Sequence, residues 1–271
     1  KSKLPEPIPN GDVSLLKIAF KEGENIRIVP TDVDENDNAT GPARKGTTKS
    51  REWWLDKINE RGNLNHIGGG RGLFVGVNPM QPLGYKDEHC SDFRLGLAEF
   101  DNLPIEEQWT LIKESKLPCV AVIFSGKKSL HCWVKVDAKD RAEYGQRMKI
   151  LYDHLADYVD GNNKNPSRLS RLPNCKRGGI GEQQLLAVNI GCESWSEWEN
   201  HIKAETVGEV FDLRRLATMD TSEDPHSVLG DRWLCKGGSC LFVGQSGIGK
   251  SSFVMQLAIN WTLGRPTFGI T

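Results

Sequence analysis

Apolar and polar positions along this chain alternate in two rhythms, and the rhythms predict the elements. Leu95-Gly-Leu-Ala-Glu-Phe-Asp101 and Leu73-Phe-Val-Gly-Val77 read as strands, and Cys119-Val-Ala-Val-Ile-Phe124 as a buried strand. The turn Ser125-Gly-Lys-Lys128 leads to a return strand over Ser129–Val136. Leu15–Phe20, Ile26–Val29 and Leu185–Ile190 are further strand candidates. The other rhythm is helical. Pro104 opens a helix whose apolar positions are Ile105, Trp109 and Ile112. Asp140–Tyr158 carries Met148, Leu151, Tyr152 and Leu155 at helical spacing, and Thr47–Glu60 carries Trp54 and Ile58. Polar, glycine-bearing stretches at Asp32–Arg44, Gly68–Gly72 and Gly161–Pro166 read as loops. Residues 196–230 are charged and poor in large apolar residues, with room for a helix or two.

Strands and helices in this order predict an α+β domain over residues 1–195, with a mainly antiparallel sheet and helices behind it. A linker with helices follows at 196–228, and an α/β unit opens at 229–271. No internal repeat or low-complexity tract interrupts the pattern.

Composition narrows the class. Hydrophobic residues make up 38% and charged residues 26% of the 271, as in ordinary globular proteins. No stretch approaches the roughly 20 apolar residues of a membrane helix, so no membrane partner is expected. Lys1–Asn10 has no signal-peptide core. The expected location is the cytoplasm, and a start without Met suggests a piece of a longer protein. The net charge of −1 excludes a strongly basic, DNA-coating protein but leaves room for a locally basic cleft. The seven cysteines include no Cys-x-x-Cys pair, so they read as reduced thiols without zinc-ligand spacing.

Four groups of residues carry candidate chemistry. Glu99 and Asp101 are two apart on a strand, so they share a face. Paired carboxylates repel unless a cation lies between them, which suits Mg2+ or Mn2+; a solvated strand face is the alternative. On the return strand Ser129, His131 and Trp133 share one face, and Lys127 and Lys128 sit at the turn. Lysines, a hydroxyl and an imidazole suit a triphosphate, against the alternative of an ordinary hairpin with a basic tip. Asp160 ends a helix, where a carboxylate opposes the dipole. Beyond it Arg168 and Arg171, in Ser167-Arg-Leu-Ser-Arg-Leu-Pro173, are able to clamp phosphate; the alternative is an exposed loop. Together these supply the parts of a metal-assisted phosphoryl-transfer site.

The fourth group is the most specific. Gly244-Gln-Ser-Gly-Ile-Gly-Lys-Ser251 fits G-x-x-x-x-G-K-[ST] without a mismatch, between an apolar run, Cys240–Val243, and a helical pattern. Backbone amides around Gly244, Gly247 and Gly249 would cradle the phosphates of ATP. Lys250 would reach the β and γ phosphates and Ser251 the magnesium. With the chain ending at Thr271, weak nucleotide binding and no ATPase activity are expected of this piece alone.

Glu99-Phe-Asp101, Ser125-Gly-Lys-Lys-Ser-Leu-His-Cys-Trp133, and Asp160 with Ser167–Pro173 resemble the three motifs of archaeo-eukaryotic primases. Leu229-Gly-Asp-Arg-Trp233 through the P-loop resembles the RecA-like ATPase of phage and plasmid primase–helicases. The resemblance implies an RRM-like catalytic core, with Glu99, Asp101 and Asp160 binding two divalent ions. His131 and Ser129 would hold the incoming nucleotide's phosphates, with Lys127, Lys128, Arg168 and Arg171 adding contacts. It implies primer synthesis from NTPs or dNTPs on single-stranded DNA, by a protein whose full-length form is a homo-oligomer. Glu-x-Asp departs from the family's commoner Asp-x-Asp or Asp-x-Glu. Two other readings stand beside this one. A non-catalytic strand- or origin-binding module would keep the basic residues. A rolling-circle nickase needs His-x-His and a tyrosine, whereas His131 has Ser129 and Trp133 two residues away.

Overall fold

The computed structural model describes residues 3–35, 39–100, 102–155, 158–159, 161, 163–207, 227–229, 234–235, 241 and 243–266. The chain divides into two units, Lys1–Thr206 and Val207–Thr271. The first begins with helix α1 (Gly11–Ala19), strands β1 (Asn25–Val33), β2 (Ala39–Pro42) and β3 (Thr47–Ser50), helix α2 (Arg51–Arg61) and strand β4 (Leu73–Gly76). Then come β5 (Phe93–Phe100), α3 (Ile105–Glu114), β6 (Cys119–Phe124), β7 (Leu130–Ala138) and α4 (Arg141–His154). Short strands β8 (Leu169–Arg171) and β9 (Cys175–Lys176) lead to β10 (Glu182–Ile190) and helix α5 (Trp195–Val207).

These strands form two antiparallel sheets. The first has the order β2-β1-β4-β8, with β3 also paired to β1. The second has the order β5-β7-β6-β10-β9. Strand β7 turns back from β6 and inserts between β6 and β5, which closes a split β-α-β unit around α3. Strand alternation then sorts the second sheet's side chains. Leu95, Leu97, Ala121, Ile123 and Trp133 face one core, shared with Ile28 and Val75 of the first sheet and Leu16 and Trp54 of α1 and α2. Ala98, Val122, Leu130, Cys132 and Val134 face the other core, against Trp109, Tyr144, Met148 and Trp198 of the helices.

Buried amides join these layers by imitating backbone. Gln183 accepts from Leu73 N at 3.0 Å and donates to Leu73 O at 3.0 Å, bridging β10 to β4. Asn78 does the same for Leu95, accepting from its N at 2.9 Å and donating to its O at 2.7 Å.

Three elements differ from the sequence expectation. Leu15–Phe20 belongs mostly to helix α1, because Leu15, Leu16, Ala19 and Phe20 bury one helical stripe; a short apolar run leaves the period ambiguous. The expected loop Asp32–Arg44 contains β2, a mostly exposed edge strand, Ala-Thr-Gly-Pro, that shows no alternation of apolar and polar residues. The expected helix at Thr47 begins at Arg51, where Ser50 caps it by accepting from Trp53 N at 3.2 Å; Thr47–Ser50 pairs as β3 instead. Helix α5, at the start of the charged stretch, packs on the first unit through Trp195 and Trp198.

In the second unit, β11 (Ser227–Leu229) and β12 (Leu234–Cys235) pair antiparallel, and helix α6 spans Lys250–Thr262. Among the described residues no helix is long and apolar enough to cross a membrane.

Candidate functional site

Strand register builds the site. Glu99 on the edge strand β5 lies directly opposite His131 on the neighbouring strand β7, and both face the layer shared with the first sheet. His131 Nε2 is 3.3 Å from Glu99 Oε1. The ring's other nitrogen, Nδ1, lies 3.1 Å from Oγ of Ser170 on β8 of the first sheet. Asn163 donates to Glu99 Oε2 at 3.2 Å. Burial pushes the Glu99 carboxyl up, but His131, Arg168 and Arg171 outweigh it and hold the group at about 2. Glu99 is therefore ionised at any working pH.

A basic shell surrounds this carboxylate. Arg171 is 8% exposed, its guanidinium carbon 3.8 Å from the Phe74 ring centre. Burial and the charge of Arg177 push it down to about 9, against the pull of Glu99. Its Nη1 is buried and finds no hydrogen-bond partner among the described residues, and neither does Nε of Arg177. Arg177 donates through Nη1 to Ser125 O at 3.1 Å, which ties it to the basic turn. Uncommitted guanidinium N–H groups beside an ionised carboxylate are set to receive a phosphoryl oxyanion.

The turn itself is rigid at its base and open at its tip. Ser125 N donates to Ser129 O at 2.9 Å, and Ser129 Oγ donates to Ser125 Oγ at 3.0 Å. Gln108 of α3 accepts from Leu130 N at 2.8 Å and donates to Lys128 O at 2.8 Å. Gly126 has φ 84°, and a Cβ there would meet the Glu182 backbone at 3.2 Å. Lys127 and Lys128 stay exposed. The Arg168 loop is held by Asp87, whose Oδ1 accepts from Ser167 Oγ at 2.6 Å and Asn165 Nδ2 at 3.1 Å.

Glu99, His131, Arg168 and Arg171 thus come together, with Ser129 buried in the turn beside them. Asp101 and Asp160 lie outside the described residues; Phe100 and Val159, which precede them, pair in an isolated antiparallel bridge. Ser170, Asn163 and Arg177 escaped the sequence reading. Ser170 sits inside Ser167-Arg-Leu-Ser-Arg171, so strand alternation was the available signal; for the other two no local signal exists.

In the second unit Gly247 and Gly249 adopt φ 84° and 85°, which lets the loop curl before α6 begins at Lys250. Lys250 Nζ donates to the loop carbonyls of Gly244 and Gln245, each at 2.7 Å. Ser251, on the first turn of α6, is exposed. Of the run Cys240–Val243, Cys240 and Phe242 lie outside the described residues, and Leu241 and Val243 are exposed. Leu257 is the buried position of α6, while Val254 and Trp261 are exposed.

Comparison with solved structures agrees with this architecture. The chain is similar to the AEP domain of the cyanophage S-2L primase–polymerase, with TM-score 0.51 and 16% identity over 72% of this chain and 98% of that one. The catalytic domain of primase RepB′ in complex with initiator DNA matches at TM-score 0.46 and 15% identity, over 74% of this chain and 100% of that one. A further structure of primase RepB′ matches at TM-score 0.44 and 17% identity, over 80% of this chain and 69% of that one. The family model of the AAA domain matches residues 209–271. No curated protein matches the chain. The antiparallel α+β fold is shared with that AEP domain, and the AAA match falls on the residues that follow it.

Proposed function

We propose that the chain is the primase–polymerase part of a mobile-element replication protein, joined to an ATP-dependent helicase. It transfers nucleotides to a growing 3′ end on a single-stranded DNA template. The observation that carries this reading is the Glu99–His131–Ser170 constellation beside two buried guanidinium N–H groups, Arg171 Nη1 and Arg177 Nε, that have no partner among the described residues. In the reaction the 3′-hydroxyl oxygen bonds to the α-phosphorus, the bond to pyrophosphate breaks and pyrophosphate leaves, and the hydroxyl proton passes to water. Arg171, Arg177 and His131 hold the triphosphate's oxygens, with Lys127 and Lys128 at the turn attracting it. Ser170 fixes the His131 ring so that Nε2 faces the site.

Glu99 is an ionised oxygen donor and fits a hard divalent ion, with Asp101 and Asp160 completing the expected ligand set. When bound, Mg2+ or Mn2+ supplies activation of the attacking oxygen and neutralisation of the leaving charge. At the P-loop, Gly244, Gly247, Gly249, Lys250 and Ser251 would hold ATP.

The test is primer synthesis on single-stranded DNA, with labelled nucleotides and Mg2+ or Mn2+, by the wild type, Glu99→Gln and His131→Ala. Wild-type product with each variant reduced by about 100-fold or more supports the reading. Absence of product from the wild type, with strand binding intact, leaves the non-catalytic module. That second reading draws on one observation, that both Glu99 carboxylate oxygens already have partners within the protein.

A further inference from the structure

On its outward face the first sheet carries a second, separate basic site. Strand β1 buries Ile26 and Ile28 in the core and turns Arg27 the other way, opposite Thr48 of β3. The loop ahead of β5 folds over this face, and a cavity of about 470 Å³ opens beneath it. Four of its lining residues are cationic, Arg27, Arg44, Lys45 and Lys49, and none of the lining residues carries a carboxylate. For a chain of net charge −1, that is a strong local segregation.

Arg27 distinguishes this cavity from a cluster of surface lysines. It is 8% exposed, and burial pushes its guanidinium down from the ordinary arginine value. It donates to Tyr85 O at 3.0 Å and lies 6.0 Å from the Tyr85 ring centre. A cation held out of water with no carboxylate in its cavity is costly unless an anion joins it. Gly46 keeps the wall thin, since a Cβ there would strike Val29 at 2.6 Å and press on Arg27 Nε at 3.3 Å.

Aromatic rings interleave with these charges. Tyr85 is 54% exposed and has Lys86 Nζ 5.5 Å from its ring centre. Lys49 reaches from the cavity to 5.9 Å from the ring of Trp53, itself 36% exposed. Lys57 lies at 5.6 Å from the same ring but is committed to Glu60 at 2.6 Å. Cations tracking a backbone and exposed rings for bases to stack on are what a single strand of nucleic acid requires.

We infer that the cavity under Tyr85, with Arg27 at its floor and Lys49–Trp53 as its continuation, binds the phosphate backbone and bases of a single strand. That this strand is the template rests on the primase reading above. The row Ile28–Val75–Ser170 crosses three strands, so strand β1, whose outward side holds Arg27, runs about 10 Å from the β8 strand that carries Ser170.

Fluorescence anisotropy of a labelled oligothymidylate of about 20 nucleotides tests this on the 271-residue chain. Salt is varied from roughly 50 to 200 mM. Arg44, Lys45 and Lys49 are exposed, so their joint replacement by alanine leaves the fold intact, which circular dichroism checks. That triple variant is expected to flatten the salt slope by about 2 and weaken binding by about tenfold or more. Tyr85→Ala is expected to lose about fivefold or more with the slope unchanged, and Tyr85→Phe to bind as wild type. Unchanged strand affinity in the triple variant overturns the inference. So does a result in which only free nucleoside triphosphate, and not the strand, responds to these variants. Glu99→Gln, run alongside, separates the two readings. Track-dependent strand binding without wild-type synthesis defeats the primase reading alone. Synthesis abolished by Glu99→Gln, with a track indifferent to the strand, defeats this inference alone.

Discussion

Asp12 has no exposed surface, and only one of its oxygens is answered. Its Oδ1 accepts from Val13 N at 2.9 Å and Asn174 Nδ2 at 3.1 Å, while Oδ2 is buried with no partner among the described residues. Burial lifts its pKa above the ordinary 3.8 despite those bonds. A carboxyl raised in the folded state costs stability wherever it is ionised, and the cost disappears as pH falls through the folded value. Asp12→Asn is therefore expected to gain about 1 kcal/mol at neutral pH, roughly 2–4 °C in Tm, and to lose that advantage below about pH 4. Calorimetry across pH checks it; a lower Tm for the variant at pH 7 contradicts it. Ser170 makes a second case. Its hydroxyl is 3.1 Å from His131 Nδ1, so Ser170→Ala frees the ring. The expected result is about tenfold or more slower nucleotide incorporation with single-strand affinity unchanged. Equal loss of strand binding would mark Ser170 as merely structural. At this scale Glu99, His131, Arg168 and Arg171 were readable, because each lies in a short pattern with its own chemical sense. Asn163 and Arg177 were not, because their roles come from contacts with residues far away in sequence, 64 positions for Asn163 and 52 for Arg177.

Elements were legible where packing has one period. Strand β6 occupies the residues its apolar run marks, Cys119–Phe124, because both faces are buried. Helix α3 starts after Pro104 as expected. Strands β2 and β3 left no pattern, since each is a four-residue edge piece paired on β1 with exposed side chains. Between elements, the Gln183 amide is the clearest test of how the sheets are held. Gln183→Ala strands the buried N–H of Leu73, whose C=O still accepts from Leu172 N at 3.0 Å, so a loss of about 1–3 kcal/mol is expected in urea unfolding. A loss under about 0.5 kcal/mol would mean that water or a shifted strand replaces both bonds.

For the whole molecule, the order of elements indicated an antiparallel α+β domain and a P-loop segment, and both are present in outline. The sequence pattern did not indicate that the strands divide into two sheets, because sheet partners are chosen by long-range burial rather than by local rhythm. That division has its own consequence. Glu99 and His131 come from one sheet and Ser170 from the other, and the segments that make them run from Asn25 to Ile190. Neither sheet by itself contains the constellation. Its assembly doubles as a certificate that the whole unit has matured, since a nascent or nicked copy with one sheet in place lacks the constellation altogether.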